Sequence, residues 1–180
     1  MDLKSILLSD DVVCEIKNNM DYLCTEIPEI KNMVGFEHKH PHHNLDVWEH
    51  TLKALSLSEK DFDIRLCLLL HDIGKPFSCQ DGQVRHFHGH ALVSSQMSEK
   101  ILKRLGFDEK YIEKICFLIK NHDTPFTEDD VKEDFERCLM LYKIQYCDGL
   151  AHNPLYHEKR KKQLQEEENL LKEGKHNGEY

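Results

Sequence analysis

No stretch of this sequence reaches the ~18 consecutive apolar residues that a membrane-spanning helix requires, so no part of it is expected to cross a bilayer. The opening MDLKSILLSDDVVCEIKN carries Asp2, Asp10 and Asp11 and lacks a basic region followed by a clean apolar run, so it does not read as a signal peptide. There is no CxxC pair. The seven cysteines (14, 24, 67, 79, 116, 138 and 147) are odd in number and scattered, and Cys67, Cys116, Cys138 and Cys147 fall within apolar helical patterns. They read as buried free thiols, which implies a reducing, cytoplasmic setting. Basic residues are outnumbered: 24 Lys and Arg against 33 Asp and Glu give a net charge of −9. That excludes an extended basic surface for nucleic acid, but not local recognition of a phosphate. Strand-like alternation is scarce, and no internal repeat or low-complexity linker is found.

What is present is enough for one ordinary domain with its own core: 180 residues, 39% apolar and 32% charged. Helical periodicity over 3–23, 46–58, 61–73, 90–105, 109–122, 128–148 and 156–173 predicts a compact all-α fold. An N-terminal helical segment (1–35) is expected to pack on a core (36–155), followed by a charged helix and tail (156–180). Gly74-Lys75-Pro76, Gly106 and Gly149 mark helix ends, and Asp108 and Thr127 are expected N-caps, the latter with Asp130 three residues on. Residues 35–45 and 76–89 read as loops. In the last segment Leu164, Leu170 and Leu171 form a thin apolar stripe. It could dock on the body or pair with another chain, which leaves an oligomer open, but a solvated terminal helix is expected.

The informative pattern is where certain His and Asp residues fall among thirteen histidines. His50 shares a helix face with Val47, Ala54 and Leu57. His71 continues the stripe of Ile64 and Cys67, and Asp72 follows it. His90 opens the stripe of Ser94, Met97, Ile101 and Leu105. His122 ends that of Ile112, Ile115 and Ile119, and Asp148 ends that of Leu141 and Ile144. One such histidine is more often a hydrogen-bonded core residue than a ligand. Six ionisable residues on the inward stripes of five helices are a different matter. Buried carboxylates need compensating charge and neutral imidazoles need something to share a lone pair with, and divalent cations meet both needs.

The order His50, His71-Asp72, Asp148 resembles the signature of the HD superfamily of metal-dependent phosphohydrolases. The dipeptide alone is uninformative, but HDIGKP after an apolar helix, with WEHTLKAL about twenty residues upstream, is specific. HHNLDVWEHTLKAL, LLLHDIGKP, FHGHALVSSQMSEKILKRLGF, IKNHDTP and YKIQYCDGLAHNP are similar to the HD domain that follows the nucleotidyltransferase core in some bacterial CCA-adding enzymes. The resemblance covers roughly 40–155. It leaves no room for a nucleotidyltransferase core, so only the hydrolase half carries over. It implies a phosphodiesterase or phosphatase acting on a nucleotide or RNA end bearing a 2′,3′-cyclic, 2′- or 3′-phosphate. It further implies that His50, His71, Asp72 and Asp148 hold one metal, that His90 and His122 add a second with Asp72 bridging, and that Lys75 faces the substrate phosphate. His43 and Asp46 match positions at the pocket mouth, while His86 and His88 are expected to be surface residues. Asp72 and Lys75 would be the catalytic pair, with Lys75 and His43 binding substrate. A His/carboxylate set without thiolates suits one or two ions of Mn, Fe, Co, Ni or Mg better than a structural zinc cage. Three other readings stay open: a dinucleoside polyphosphate or deoxynucleotide hydrolase, a two-iron HD-type oxygenase, and a non-enzymatic nucleotide-binding module.

Overall fold

Side-chain caps, more than the apolar runs, decide where the helices begin. The computed structural model describes residues 2–39, 44–80, 82 and 84–176. Among them the regular structure is helical, apart from two isolated bridge pairs, Glu37 with Asp46 and Gln80 with His86. The fold is all-α, as the periodicity predicts. The segment 3–23, predicted as one helix, is three: α1 (Leu3–Leu7), α2 (Val12–Asn18) and α3 (Met20–Glu26). Asp2 and Asp11 each accept a backbone N–H three residues on, from Ser5 and Cys14, and so each starts a new helix. Asn19, at φ −117° and ψ 27°, separates the second from the third.

The remaining helices are α4 (Val47–Ser56), α5 (Phe62–Leu70), α6 (Lys75–Ser78), α7 (His90–Arg104), α8 (Glu109–Lys120), α9 (Glu128–Glu133), α10 (Phe135–Ala151) and α11 (His157–His176). The expected caps at Asp108 and Thr127 are present, and Thr127 and Asp130 form a reciprocal capping box. The predicted helix over 128–148 breaks at Asp134, whose extended backbone ends α9 and whose carboxylate caps α10 by accepting from Arg137 N.

Helix α5 is the axis of the fold. Every residue from Ile64 to Leu70 is buried, which explains why its sequence is apolar nearly all round instead of striped. Helices α4, α8 and α10 pack around it, α7 lies along α8, and α11 lies along α10. Arg65 is tolerated in this core because its guanidinium donates to the carbonyls of Leu7 and Ser9, both at 2.7 Å, tying the end of α1 to the axis.

Two expectations at helix ends are corrected. Gly149 does not end a helix, because α10 runs on to Ala151. A β-carbon at 149 would lie 2.8 Å from Arg160 Cγ, so a larger residue would have to displace the Arg160 side chain where α11 packs on α10. Nor is α11 a solvated terminal helix. Leu164, Glu167 and Leu171 are buried where it packs on α9 and α10.

The predicted helix over 61–73 stops at Leu70, and His71 to Gly74 form a turn leading into α6. Gly74 holds that turn against α7. Its N–H donates to Ser94 Oγ at 2.9 Å, and a β-carbon there would come within 2.5 Å of Ser94 N. Since backbone must move to admit it, Gly74→Ala should lower the unfolding free energy by about 1–3 kcal/mol in urea titration. A midpoint equal to wild type would show that α7 does not lock the turn.

Candidate metal centre

An α-helix leaves its last carbonyls without intrahelical partners, and two histidines use this. His71, directly after α5, donates Nδ1–H to Leu68 O at 2.7 Å. His122, two residues beyond α8, donates Nδ1–H to Ile119 O at 2.7 Å. His90, at the start of α7, does the same to Phe87 O at 3.0 Å. A carbonyl can only accept, so the proton on each Nδ1 is fixed and each Nε2 faces the other way, into the centre of the fold.

There the three Nε2 atoms meet two carboxylates and a fourth imidazole. Asp72, in the turn after α5, is 1% exposed. Its Oδ2 lies 3.2 Å from His71 Nε2 and 3.6 Å from His50 Nε2. Its Oδ1 lies 3.4 Å from His90 Nε2 and 3.9 Å from His122 Nε2. Asp148 of α10 accepts from His50 Nε2 at 2.9 Å and sits 3.5 Å from His71 Nε2. Ligand atoms of His50, His71 and Asp72 all lie within 4.8 Å of one another, as do those of Asp72, His90 and His122. Asp72 belongs to both groups.

These residues fit a divalent cation on three observations. Both Asp72 oxygens and His71 Nε2 are buried without a hydrogen bond of good geometry. The Nε2 atoms of His90 and His122 are 3.3 Å apart, yet both rings carry their proton on Nδ1. Two neutral rings so placed would aim lone pairs at each other, and a cation between them removes the conflict. Burial also lowers the pKa of His90 and takes that of His122 down to about 4, so both rings are neutral at pH 7. The carboxylates stay ionised. Burial opposes this, but His71 and Lys75 hold Asp72 well below the usual carboxylate range, and His152, His50 and His71 do so for Asp148. His71 responds in the opposite sense to His122: burial disfavours its charge, but Asp72 and Asp148 outweigh that and raise it to about 10.

The six predicted ligands thus converge, and Lys75 joins them with its ammonium 2.7 Å from Asp72 Oδ2. His43 lies outside the described residues. Asp46 lines a cavity with His38, Lys39 and Leu45, and its carboxylate also caps α4, accepting from Glu49 N at 2.8 Å and from Gly35 N at 3.1 Å. His86 and His88 are exposed, their rings stacked at 5.5 Å, while His90 reaches Asp72. Of the apolar and aromatic residues near this region, Met33, Trp48 and Phe126 are core, and Phe77 is exposed.

Three neighbours escaped sequence reasoning. His152 caps α10 with its Nε2 4.0 Å from Asp148 Oδ1, and with His50 and Asp148 it forms a third potential ligand group. Its spacing of four from Asp148 was the available signal, hidden because Gly149 reads as a helix stop. Arg160 of α11 places its guanidinium 3.7 Å from the other Asp148 oxygen. His38, buried beside Lys75, stands in a histidine-rich loop that offers no periodicity to single it out.

A family model for the HD domain matches residues 42–173. The chain belongs to the HD domain family. HD domains form a superfamily of metal-dependent phosphohydrolases, which makes this chain an enzyme of that class and its His/Asp cluster a site able to hold divalent metal. It is 34% identical over 105 residues to the CC-adding tRNA nucleotidyltransferase of Thermus thermophilus, covering 53% of this chain and 24% of that protein. It is 32% identical over 114 residues to the A-adding tRNA nucleotidyltransferase of Deinococcus radiodurans, covering 59% and 26%. It is also 35% identical over 95 residues to a 3-dehydroquinate synthase of Thermoanaerobacter pseudethanolicus, covering 51% and 27%. This HD domain chain therefore spans about a quarter of the length of the curated relatives it matches. Among the described residues no helix is long and apolar enough to cross a membrane.

Two measurements probe the centre. If the two groups each hold an ion and share Asp72, His90→Ala should lose about half the bound Mn or Co in elemental analysis, and Asp72→Ala nearly all. Equal retention in both variants would exclude a shared bridge. Metal uptake must also strip the proton from His71 Nε2. Because that pKa is raised to about 10, the protonated ring stabilises the metal-free fold fully below its unfolded value of ~6.5, and this contribution is lost as pH climbs through the folded value. Metal affinity should accordingly rise with pH across the neutral range. Calorimetry in two buffers of different ionisation enthalpy should show about one proton released per protein. Release of none would remove His71 from the ligand set.

Proposed function

We propose that this chain is a metal-dependent phosphodiesterase and phosphatase acting on a nucleotide, or on an RNA end bearing a 2′,3′-cyclic, 2′- or 3′-phosphate. The observation that carries the phosphoryl chemistry is the facing pair of His90 and His122 Nε2 atoms beside a shared Asp72, with Lys75 on the opposite oxygen of that carboxylate. His50, His71, Asp72 and Asp148 would hold one ion, and Asp72, His90 and His122 a second. No cysteine belongs to either group, which favours Mn, Fe, Co, Ni or Mg over a thiolate zinc cage. When bound, a divalent ion acidifies water toward neutral pH and supplies Lewis-acid charge to a phosphoryl oxygen.

The rest of the work falls to the chain's own side chains. Asp72 Oδ1 and Oδ2 face different histidines, so one carboxylate fixes the spacing of the two ligand groups. The carbonyl-anchored rings of His71, His90 and His122 cannot turn without breaking a hydrogen bond, buried for His71 and His122 and half-buried for His90, which preorganises the centre before substrate arrives. Lys75 is held by Asp72 as a fixed positive charge, and an ammonium there stabilises charge that builds on the phosphoryl oxygens in an in-line displacement. A histidine or water protonates the leaving oxygen.

The substrate class is supported by the two tRNA nucleotidyltransferase relatives. The match to a 3-dehydroquinate synthase shows that relatives of quite different name also align, so neither named activity transfers with the aligned region. A cytoplasmic location accords with seven cysteines that are all free thiols. The −9 charge accords with a small nucleotide or a strand end as substrate in place of a long nucleic-acid tract.

Metal-stripped protein reloaded with Mn, Co, Ni or Mg should release phosphate from 2′-AMP or 3′-AMP, or open 2′,3′-cyclic AMP. Asp72→Ala should reduce this at least about a thousandfold while the helical circular dichroism persists. Turnover only of dinucleoside polyphosphates or deoxynucleotides would move the substrate assignment. Oxygen uptake with an organic substrate would replace it with two-iron chemistry.

A further inference from the structure

His38 is 1% exposed, its ring packed edge-on against His50 and Phe87 at centroid distances of 5.7 Å. It lies outside both ligand groups around Asp72. Its two nitrogens face partners of fixed and opposite chemistry. Nδ1 lies 2.9 Å from the Leu45 carbonyl, which can only accept. Nε2 lies 3.2 Å from the Lys75 ammonium, which can only donate. One protonation state satisfies both: a neutral ring with its proton on Nδ1 and its lone pair on Nε2. A protonated ring would place N–H against N–H beside a second cation.

The ammonium has three N–H bonds. Asp72 Oδ2 at 2.7 Å and His38 Nε2 at 3.2 Å offer partners for two of them. Phe87 flanks the same group, its ring centroid 5.8 Å from Nζ. Lys75 begins α6, and its own N–H is tied to Asp72 O at 3.0 Å. Its backbone is therefore fixed to the Asp72 turn. The far end of a flexible four-carbon stem needs its own restraint, which the Asp72 ion pair and the His38 ring supply.

We propose that His38 is a positioning residue for Lys75: a neutral imidazole, anchored on the Leu45 carbonyl, accepts one ammonium N–H, the ion pair with Asp72 holds the group on another side, and an N–H is left for a phosphoryl oxygen. This rests on the phosphohydrolase reading for the identity of the third partner, but not for the tautomer or the coupling to Lys75. The loop carrying His38 thereby becomes part of the anion-binding apparatus, although His38 touches neither the ligand groups' metal-facing atoms nor the reacting phosphorus.

The test is a double-mutant cycle on metal-loaded protein, read first by calorimetric binding of inorganic phosphate and then by kcat and KM on 2′-AMP, 3′-AMP or 2′,3′-cyclic AMP. His38→Phe keeps a ring but loses the acceptor, and should weaken phosphate binding by about tenfold, the scale of one charge-assisted hydrogen bond. In a Lys75→Met background the same change should alter binding less than about twofold. His38→Gln, which restores a carbonyl acceptor, should recover affinity to within about threefold of wild type. The kinetic loss should appear in KM as well as kcat, and bound metal should be unchanged in every variant. Independently of any variant, imidazole 15N spectra of the wild type at neutral pH should show His38 protonated on Nδ1 alone. Equal losses with and without Lys75, a His38 proton on Nε2, or wild-type protein that binds no phosphate would each overturn the proposal. If the tautomer and the coupling hold while none of the three nucleotides is hydrolysed, the substrate reading falls and this one stands.

Discussion

Everything at the centre of this protein answers to one buried carboxylate. Asp72 is 1% exposed and sits in a turn with no helix of its own. An ionised group so placed is costly unless cationic or hydrogen-bonding partners surround it. His71, from the same turn, supplies positive charge, while His50 from α4, His90 from α7 and His122 from beyond α8 turn their Nε2 atoms towards the carboxylate, where a divalent cation would complete the compensation. Lys75 closes the remaining side. Helices that differ in length and direction are brought together where their polar ends can share this one charge.

The means of doing so is the same three times. A helix end, or the turn before a helix, presents a carbonyl, and a histidine three residues later donates Nδ1–H to it. This holds the proton of each ring on Nδ1 and turns each Nε2 inward. One hydrogen bond therefore serves both helix termination and ligand orientation. Gly74 and Gly149 play the matching role in the backbone. Each lacks a side chain where a β-carbon would press on a neighbouring helix, on the Ser94 backbone of α7 in one case and on the Arg160 side chain of α11 in the other.

The C-terminal helix is drawn into this arrangement. Arg160 reaches the Asp148 oxygen that does not face His50, and donates to Gln145 O and to Gln163 Oε1, whose amide in turn donates to the buried Glu167. The HD family match extends to residue 173, so most of α11 lies within the matched region along with the helices bearing the ligands.

The sequence by itself determined the helical class, the caps at Asp108 and Thr127, and the six His and Asp residues of the centre, because each of these depends on local spacing: periodicity, an N-cap three residues from its donor, or a polar residue on an apolar stripe. It placed helix ends poorly. The breaks at Asp11 and Asp134 arise from single side-chain hydrogen bonds that periodicity does not register. Glycine at 149 reads as a stop when the chain is taken alone, and as a packing contact once Arg160 is beside it. His38, His152 and Arg160 were invisible for the same reason, since their partners lie far along the chain or past a misread helix end. Which of many loop histidines turns inward is decided only by what the folded chain packs against it, since a buried imidazole is stable only where both its nitrogens find partners of the right kind.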